Sequence, residues 1–241
     1  MEVDGEDGRT QNQLRPLACS HNILYRAHGS ASWSLRTRTL RKQTGQIDNL
    51  LKSHLMRMRP WLNGNKEALE FKFLHVWEWF RYSGLPVRVQ LLEEEYEMIL
   101  KRTLQSICLL TINPNTTTSI IIQVINDDGA LLSCAINAAC VALVDAGIPT
   151  EHLAVAICCC VAKSGCKMKA FAYLAFLNCV HSVLPEGSSS VQGEPIEHGI
   201  VTSVTNDIMS EDNYFYSLER GRAASVRVVR VSQEELATAL N

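Results

Sequence analysis

The stretch from Ser133 to Ala162 constrains this chain more than any other. Ala135, Ala138, Ala139, Ala142, Leu143 and Ala146 recur at helical spacing, and side chains this small let a helix lie close against a sheet. Gly147 and Pro149 stop that helix. Leu153 to Ala162 follows as a continuous run of small apolar residues, suited to a strand buried on both faces and turned at Ser164 and Gly165. A helix pressed on a buried strand requires a sheet, which excludes an all-helical bundle.

Upstream, Tyr96, Ile99, Leu100, Thr103, Ile107 and Leu110 fall on one face of a helix predicted to begin at Glu93. Three glutamates then stand at the positive end of its dipole, and Glu97 precedes Lys101 by four residues. Asn113, Pro114 and Asn115 end this helix, and the β-branched run from Thr116 to Ile125 predicts a buried strand. Asp127 and Asp128 before Gly129 read as a turn rather than as a carboxylate pair for acid and base work. Further strands are predicted at Ala170 to Leu177, Val180 to Leu184 and Ile196 to Thr205, with a helix from Ser210 to Ala224. Near the N-terminus, two short strands between Leu17 and Trp33 flank a turn at Arg26, Ala27, His28 and Gly29. This mixed order predicts an α+β or α/β sandwich.

At 241 residues and 46% hydrophobic, the chain has enough apolar material for one sizeable core. No stretch approaches the roughly 20 apolar residues of a membrane helix, and the polar, acidic start is unlike a signal peptide, so a soluble intracellular protein with no membrane partner is expected. Residues 1–13 lack periodicity and are expected to form a disordered tail. Residues 14–224 make the domain, interrupted by an atypical segment at 34–90, and residues 225–241 form an atypical C-terminal tail. The net charge of −2 conceals the interruption: residues 34–88 hold 11 basic and 4 acidic side chains, a net of +7, inside an otherwise acidic protein. Within 34–90 neither a helical nor a strand period is sustained, and Pro60, Gly64, Gly84 and Pro86 break what pattern there is. Its arginines and lysines with Trp61, Trp77, Trp79 and Phe80 could form an RNA-binding arm, although no spacing among them marks a binding face, and a solvated or poorly folded stretch is the simpler reading.

The nine cysteines are odd in number, include the run Cys158, Cys159 and Cys160, and contain no C-x-x-C pair. A regular disulfide framework and a thiolate metal site are therefore not expected, and small buried hydrophobes in a reducing compartment are. The seven histidines are scattered and suggest no Ser, His and Asp constellation.

Three islands resemble the RNase PH family, and within it the ring subunits of the eukaryotic RNA exosome of the ribosomal-RNA-processing type. They are Arg15-Pro-Leu-Ala-Cys19 with Gly29-Ser-Ala31, Ile122-Gln-Val-Ile-Asn-Asp-Asp-Gly129, and Cys134-Ala-Ile-Asn-Ala-Ala-Cys-Val-Ala-Leu-Val-Asp-Ala-Gly147. The likeness is best over 93–162 and 171–223 and partial over 14–33. It implies a two-layer sheet-and-helix α+β domain with a ribosomal-protein-like βαβ fold. It also implies a place in a six-membered ring of related subunits through which RNA is threaded. Partners would be other RNase PH-like ring subunits, cap subunits and RNA, with no cofactor.

Enzymes of the family shorten RNA from its 3′ end by attack of inorganic phosphate, held by a loop of the G-G-T-R-T type at a helix N-terminus. Here the matching stretch runs from Gly129 to Ser133, with Leu132 where the arginine would stand and Ala130 in place of the second glycine. The resemblance also places an acidic general acid or metal ligand after the strand at Leu153 to Ala162, but Lys163 to Lys169 contains no Asp or Glu. Segment 34–90 shows neither the G-D-T pattern nor the V-Y-G-P turn of the family, which would leave the sheet incomplete. Family-like sequence on both sides favours a coding sequence read out of frame or mis-spliced there, which the transcript across codons 33–92 tests.

Three readings follow. The favoured one is a non-catalytic ring subunit in nucleus, nucleolus and cytoplasm, supporting 3′-to-5′ RNA processing and decay, including ribosomal RNA maturation and mRNA turnover. Its RNA or phosphate contacts would be Arg15, Arg26, Arg102, Gly129 and Ser133, with no catalytic or metal-binding residue. The alternatives are an active phosphate-dependent 3′-to-5′ exoribonuclease using Gly129 to Ser133, and a degenerate product without function.

Overall fold

The computed structural model describes residues 13–25, 27–35, 49–60, 68–75, 86–109, 112, 116–124, 130–163, 167–178 and 199–238. Among these described residues, eight strands and three helices follow one another as β1 (Leu17–His21), β2 (Gly29–Leu35), β3 (Asn49–Pro60), β4 (Ala68–His75), α1 (Pro86–Ile107), β5 (Thr116–Val124), α2 (Leu131–Asp145), β6 (Leu153–Lys163), β7 (Lys167–Asn178), β8 (Ile200–Asn206) and α3 (Glu211–Thr238). One sheet has the order β1-β2-β3-β5-β4, antiparallel except for the parallel pair β4 and β5. The other is an antiparallel meander, β6-β7-β8.

Helix α2 sits between the sheets. It packs on β2 and β3 to one side and on β6 to the other, and every residue from Leu131 to Leu143 is buried. A helix with sheet on both sides has no solvent face, which is why its sequence is small and apolar all round rather than amphipathic. Its C-terminus closes in a Schellman turn: Gly147, at φ 68°, donates to the Val144 carbonyl at 2.9 Å and Ile148 donates to the Leu143 carbonyl at 3.0 Å. Glycine is needed at that left-handed position, so the predicted stop has a geometric cause.

Two of the sequence islands meet here. The Ser30 N–H donates to the Asp145 carboxylate at 2.8 Å, and the Ser30 hydroxyl accepts the Ile23 and Leu24 N–H groups at 2.8 and 2.9 Å. Beside it, a Cβ on Gly29 would lie 2.4 Å from the Ala146 nitrogen and 2.5 Å from the Ala142 oxygen. The glycine thus lets β2 reach the end of α2. Gly29→Ala is expected to destabilise the fold by about 1–3 kcal/mol, because both obstacles are backbone. A lowered denaturant midpoint with an unchanged slope would confirm it.

Several expectations are corrected. The first helix begins at Pro86, not Glu93, so the three glutamates lie past its first turn and do not face the positive dipole end. It ends at Ile107 rather than at Asn113 to Asn115, because the chain turns into a bridge between Cys108 and Thr150, with the Leu109 N–H donating to Pro149 and the Glu151 N–H to Ile107. The segment without assignable periodicity contributes β3 and β4, both hydrogen-bonded to β5. The last helix runs to Thr238, fourteen residues beyond its expected end, so the tail from residue 225 continues α3 as far as Thr238. Its buried stripe is Ser217, Gly221, Ser225, Val228 and Ser232, mostly small polar residues that hydrophobic periodicity does not register. Ser225 and Ser232 bond back to their own helix, at the Arg222 and Val228 carbonyls, and His21 on β1 approaches Glu235 at 3.5 Å. The strand predicted at Val180 to Leu184, the turn at 127–129, the tail at 1–12 and the four aromatics Trp61, Trp77, Trp79 and Phe80 lie outside the described residues.

Candidate functional site

The start of α2 is where an anion would be held. Ala130 takes the N-cap position and offers no side-chain cap, so the first-turn amides rely on other partners. Such amides and the positive dipole end attract negative charge. The described side chains of the first turn, Leu132 and Ser133, add no charge to that attraction: Leu132 is fully buried and turned into the core. Ser133 is buried as well, and its hydroxyl donates to the Ala130 carbonyl at 2.9 Å. Any phosphate contact at Ser133 would therefore fall to its backbone N–H. Gly129 and Arg26 lie outside the described residues.

The remaining candidates stand on other elements. Arg102 is exposed on α1, next to Thr103, whose hydroxyl meets that of Thr202 on β8 at 2.6 Å. Arg15 is half-buried on the approach to β1, where its charge acts on the Cys158 thiol of β6. Arg15, Arg102 and Ser133 thus stand apart, before β1, in α1 and at the start of α2, and Ser133 is buried where Arg102 is exposed.

Strands β6 and β7 pair up to Lys163 and Lys167, so only residues 164–166 separate them. Among the described residues, no group of three or more His, Cys, Asp or Glu side chains is placed to hold a metal. The thiols are poor nucleophiles where they are covered: burial pushes Cys140 up to about 12 and Cys108 up to about 11, and burial with the charge of Glu235 pushes Cys19 up to about 12. All three stay protonated at neutral pH.

The expectation that the cysteine run is buried fails. Ala154 to Ile157 are buried, but Cys158 and Cys159 are half-buried and Cys160 is exposed. Asn137 lies beside Ala156, about 10 Å along the helix from Ala130 at 1.5 Å per residue. Cys160 lies about 13 Å along the strand from Ala156. The strand therefore outruns its helical cover. This pairing was readable only from the period of a strand, which puts residues 158 and 160 on one face.

The profile of the 3′ exoribonuclease (RNase PH) family, domain 1, matches residues 80–149, from just before α1 through α2. An exosome complex exonuclease RRP46 homolog of Arabidopsis thaliana is 56% identical over 236 residues, covering 93% of this chain and 92% of that protein. The chain belongs to the RNase PH family. The RRP46 homolog of Oryza sativa subsp. japonica is 43% identical over 239 residues, covering 95% of this chain and 93% of its own. The crystal structure of rice Rrp46 superposes with a TM-score of 0.72 at 40% identity, over 94% of this chain and 97% of that one. As an RNase PH-like chain, it has the α+β sheet-and-helix architecture that the three islands imply. The family profile takes up at residue 80, beyond most of the atypical segment. No helix among the described residues is long and apolar enough to cross a membrane.

Proposed function

We propose that this RNase PH-like chain is a non-catalytic ring subunit of the RNA exosome, which lends surface and RNA contacts to a particle whose chemistry is done elsewhere. The observation that carries this reading is Leu132, fully buried at the head of α2 where the resemblance calls for an arginine. An arginine there would grip phosphate with a planar, permanent charge, and a buried leucine has none. The names of the Arabidopsis and rice relatives support membership of the exosome. Exposed Ile208, Phe215 and Tyr216 around the start of α3 are apolar surface that neighbouring ring or cap subunits would cover. In that setting Arg15 and Arg102 are the described cations that would meet RNA. The processes served would be 3′-to-5′ processing and decay, ribosomal RNA maturation and mRNA turnover, in nucleus, nucleolus and cytoplasm.

The relatives' names also contain the word exonuclease, which favours a second reading as an active phosphorolytic enzyme built on the α2 amides. One incubation separates the two. The purified protein, given a 3′-tailed RNA and inorganic phosphate, is expected to release no nucleoside diphosphate, and to co-purify with RNase PH-like partners when expressed among them. Nucleoside diphosphate release by the isolated chain would sink the non-catalytic reading.

A further inference from the structure

The three consecutive cysteines of β6 divide between two environments. Cys159 turns toward α3, with its sulfur 3.5 Å from the Ser217 carbonyl oxygen. Cys158 and Cys160 share the opposite face, and their sulfurs are 3.9 Å apart. Cys160 is exposed and Cys158 half-buried, so one of the two is open to a small reagent. Hydrogen bonding to Cys160 pushes the Cys158 thiol up strongly and burial adds to this, while the Arg15 charge pulls the other way. Cys160, the exposed sulfur, is the one a reagent meets first, with the Cys158 sulfur within hydrogen-bond distance behind it.

We propose that Cys158 and Cys160 form a redox-active dithiol which a hydroperoxide closes into a disulfide within one strand. The Cys160 thiolate attacks a peroxide oxygen and the O–O bond breaks. The departing oxygen takes a proton and leaves as water, or as an alcohol from an alkyl peroxide, and Cys160 becomes a sulfenic acid. The Cys158 sulfur then attacks the Cys160 sulfur, and the hydroxyl leaves with the Cys158 proton as water. Two thiols lose two electrons and the peroxide gains them.

The strand limits how well that bond fits. Residues two apart in a strand have Cα atoms about 6.4–6.8 Å apart, the upper end of what a disulfide spans. Closing the gap between the sulfurs must buckle the strand locally. Strand β6 tolerates this because, among the described residues, it is the outer strand of its sheet and is laddered to β7 alone. A strained, partly exposed disulfide is easily reduced, which makes the modification reversible.

The test uses the full-length, reduced protein treated with stoichiometric hydrogen peroxide, then blocked with iodoacetamide and cut after glutamate and lysine. The fragment from His152 to Lys163 holds three cysteines. It is expected to lose two hydrogens and take one blocking group instead of three, and to recover all three after dithiothreitol. Cys159→Ser should keep the loss of two hydrogens, whereas Cys160→Ser, at an exposed position that leaves the fold intact, should abolish it. Three blocking groups on the fragment after peroxide, or loss of the cross-link in Cys159→Ser, would overturn the proposal. So would a sulfinic acid accumulating on Cys160 in place of the disulfide.

Discussion

Leu132→Arg, the substitution that would restore the family's phosphate-gripping charge, is expected to destabilise the protein by about 3–5 kcal/mol, the range for an uncompensated buried charge. It is also expected to leave phosphorolysis absent. Leu132 is fully buried in the first turn of α2, among the residues that close the core against the large sheet. A guanidinium there would lose its water without gaining a partner, because Ser133 bonds to its own turn and Ala130 offers no side chain to pair with it. Chemical denaturation reads the stability, and nucleoside diphosphate release from a 3′-tailed RNA reads the chemistry in the fraction that stays folded. An arginine variant as stable as the parent and able to release nucleoside diphosphates would show that position 132 opens toward the site. The non-catalytic assignment would then fall.

A second large effect is expected at Asn137. This side chain is buried in the middle of α2 and behaves as a short strand laid along β6: its Nδ2 donates to the Ala156 carbonyl at 2.9 Å and its Oδ1 accepts the Ala156 N–H at 2.7 Å. Among the described residues strand β6 is otherwise laddered to β7 alone, so these two bonds satisfy a backbone donor and acceptor on its outer side. Asn137→Ala would leave both groups buried and unpaired. At about 1–3 kcal/mol for each orphaned group, the loss should come to about 2–5 kcal/mol. Asn137→Gln should rescue little, since its extra methylene pushes the amide past the strand it must match. Denaturant midpoints measure the sum, and hydrogen exchange at the Ala156 amide isolates the local part. An Ala156 amide as protected in the alanine variant as in the parent would mean that another group pairs with the strand edge.

Asn137 lies in the stretch whose composition announces the fold and Leu132 lies one residue before it, yet their roles differ in how far they could be read. The small-residue periodicity from Ala135 to Ala146 foretold a helix against a sheet, and Gly147 foretold its end, because spacing and backbone freedom are local properties. That the helix has sheet on both faces, and that Asn137 would seal one strand edge, depends on where β6 passes. The absence of an arginine at 132 and of an acid between Lys163 and Lys169 was visible as residue identity, whereas the burial of Leu132 and Ser133 was not.

The longer misreadings have the same cause. Hydrophobic periodicity detects a stripe that leaves water by being apolar, but α3 past Ala224 packs through Ser225, Val228 and Ser232, whose hydroxyls are satisfied by their own helix. In residues 34–90 no periodic face exists to be read, and strands β3 and β4 are drawn into the large sheet by β5, a β-branched strand that bonds on both its edges. The cysteine run looked like core because every residue in it is small and apolar, and it surfaces because β6 is longer than the helix that covers it.

By itself, then, the sequence determined the helix–strand–helix–strand order from α1 to β6, the family, and the residue identities, a leucine at 132 and no acid from Lys163 to Lys169, on which the non-catalytic proposal rests. Each of these is written in residue identity and short-range spacing. The exposure of Arg102 followed from its place on the helix, but only the tertiary structure decided that Ser133 is covered and that Cys158 and Cys160 stand 3.9 Å apart, half-buried and exposed. Burial and encounter depend on what packs over a residue from elsewhere in the chain, and no local pattern encodes that.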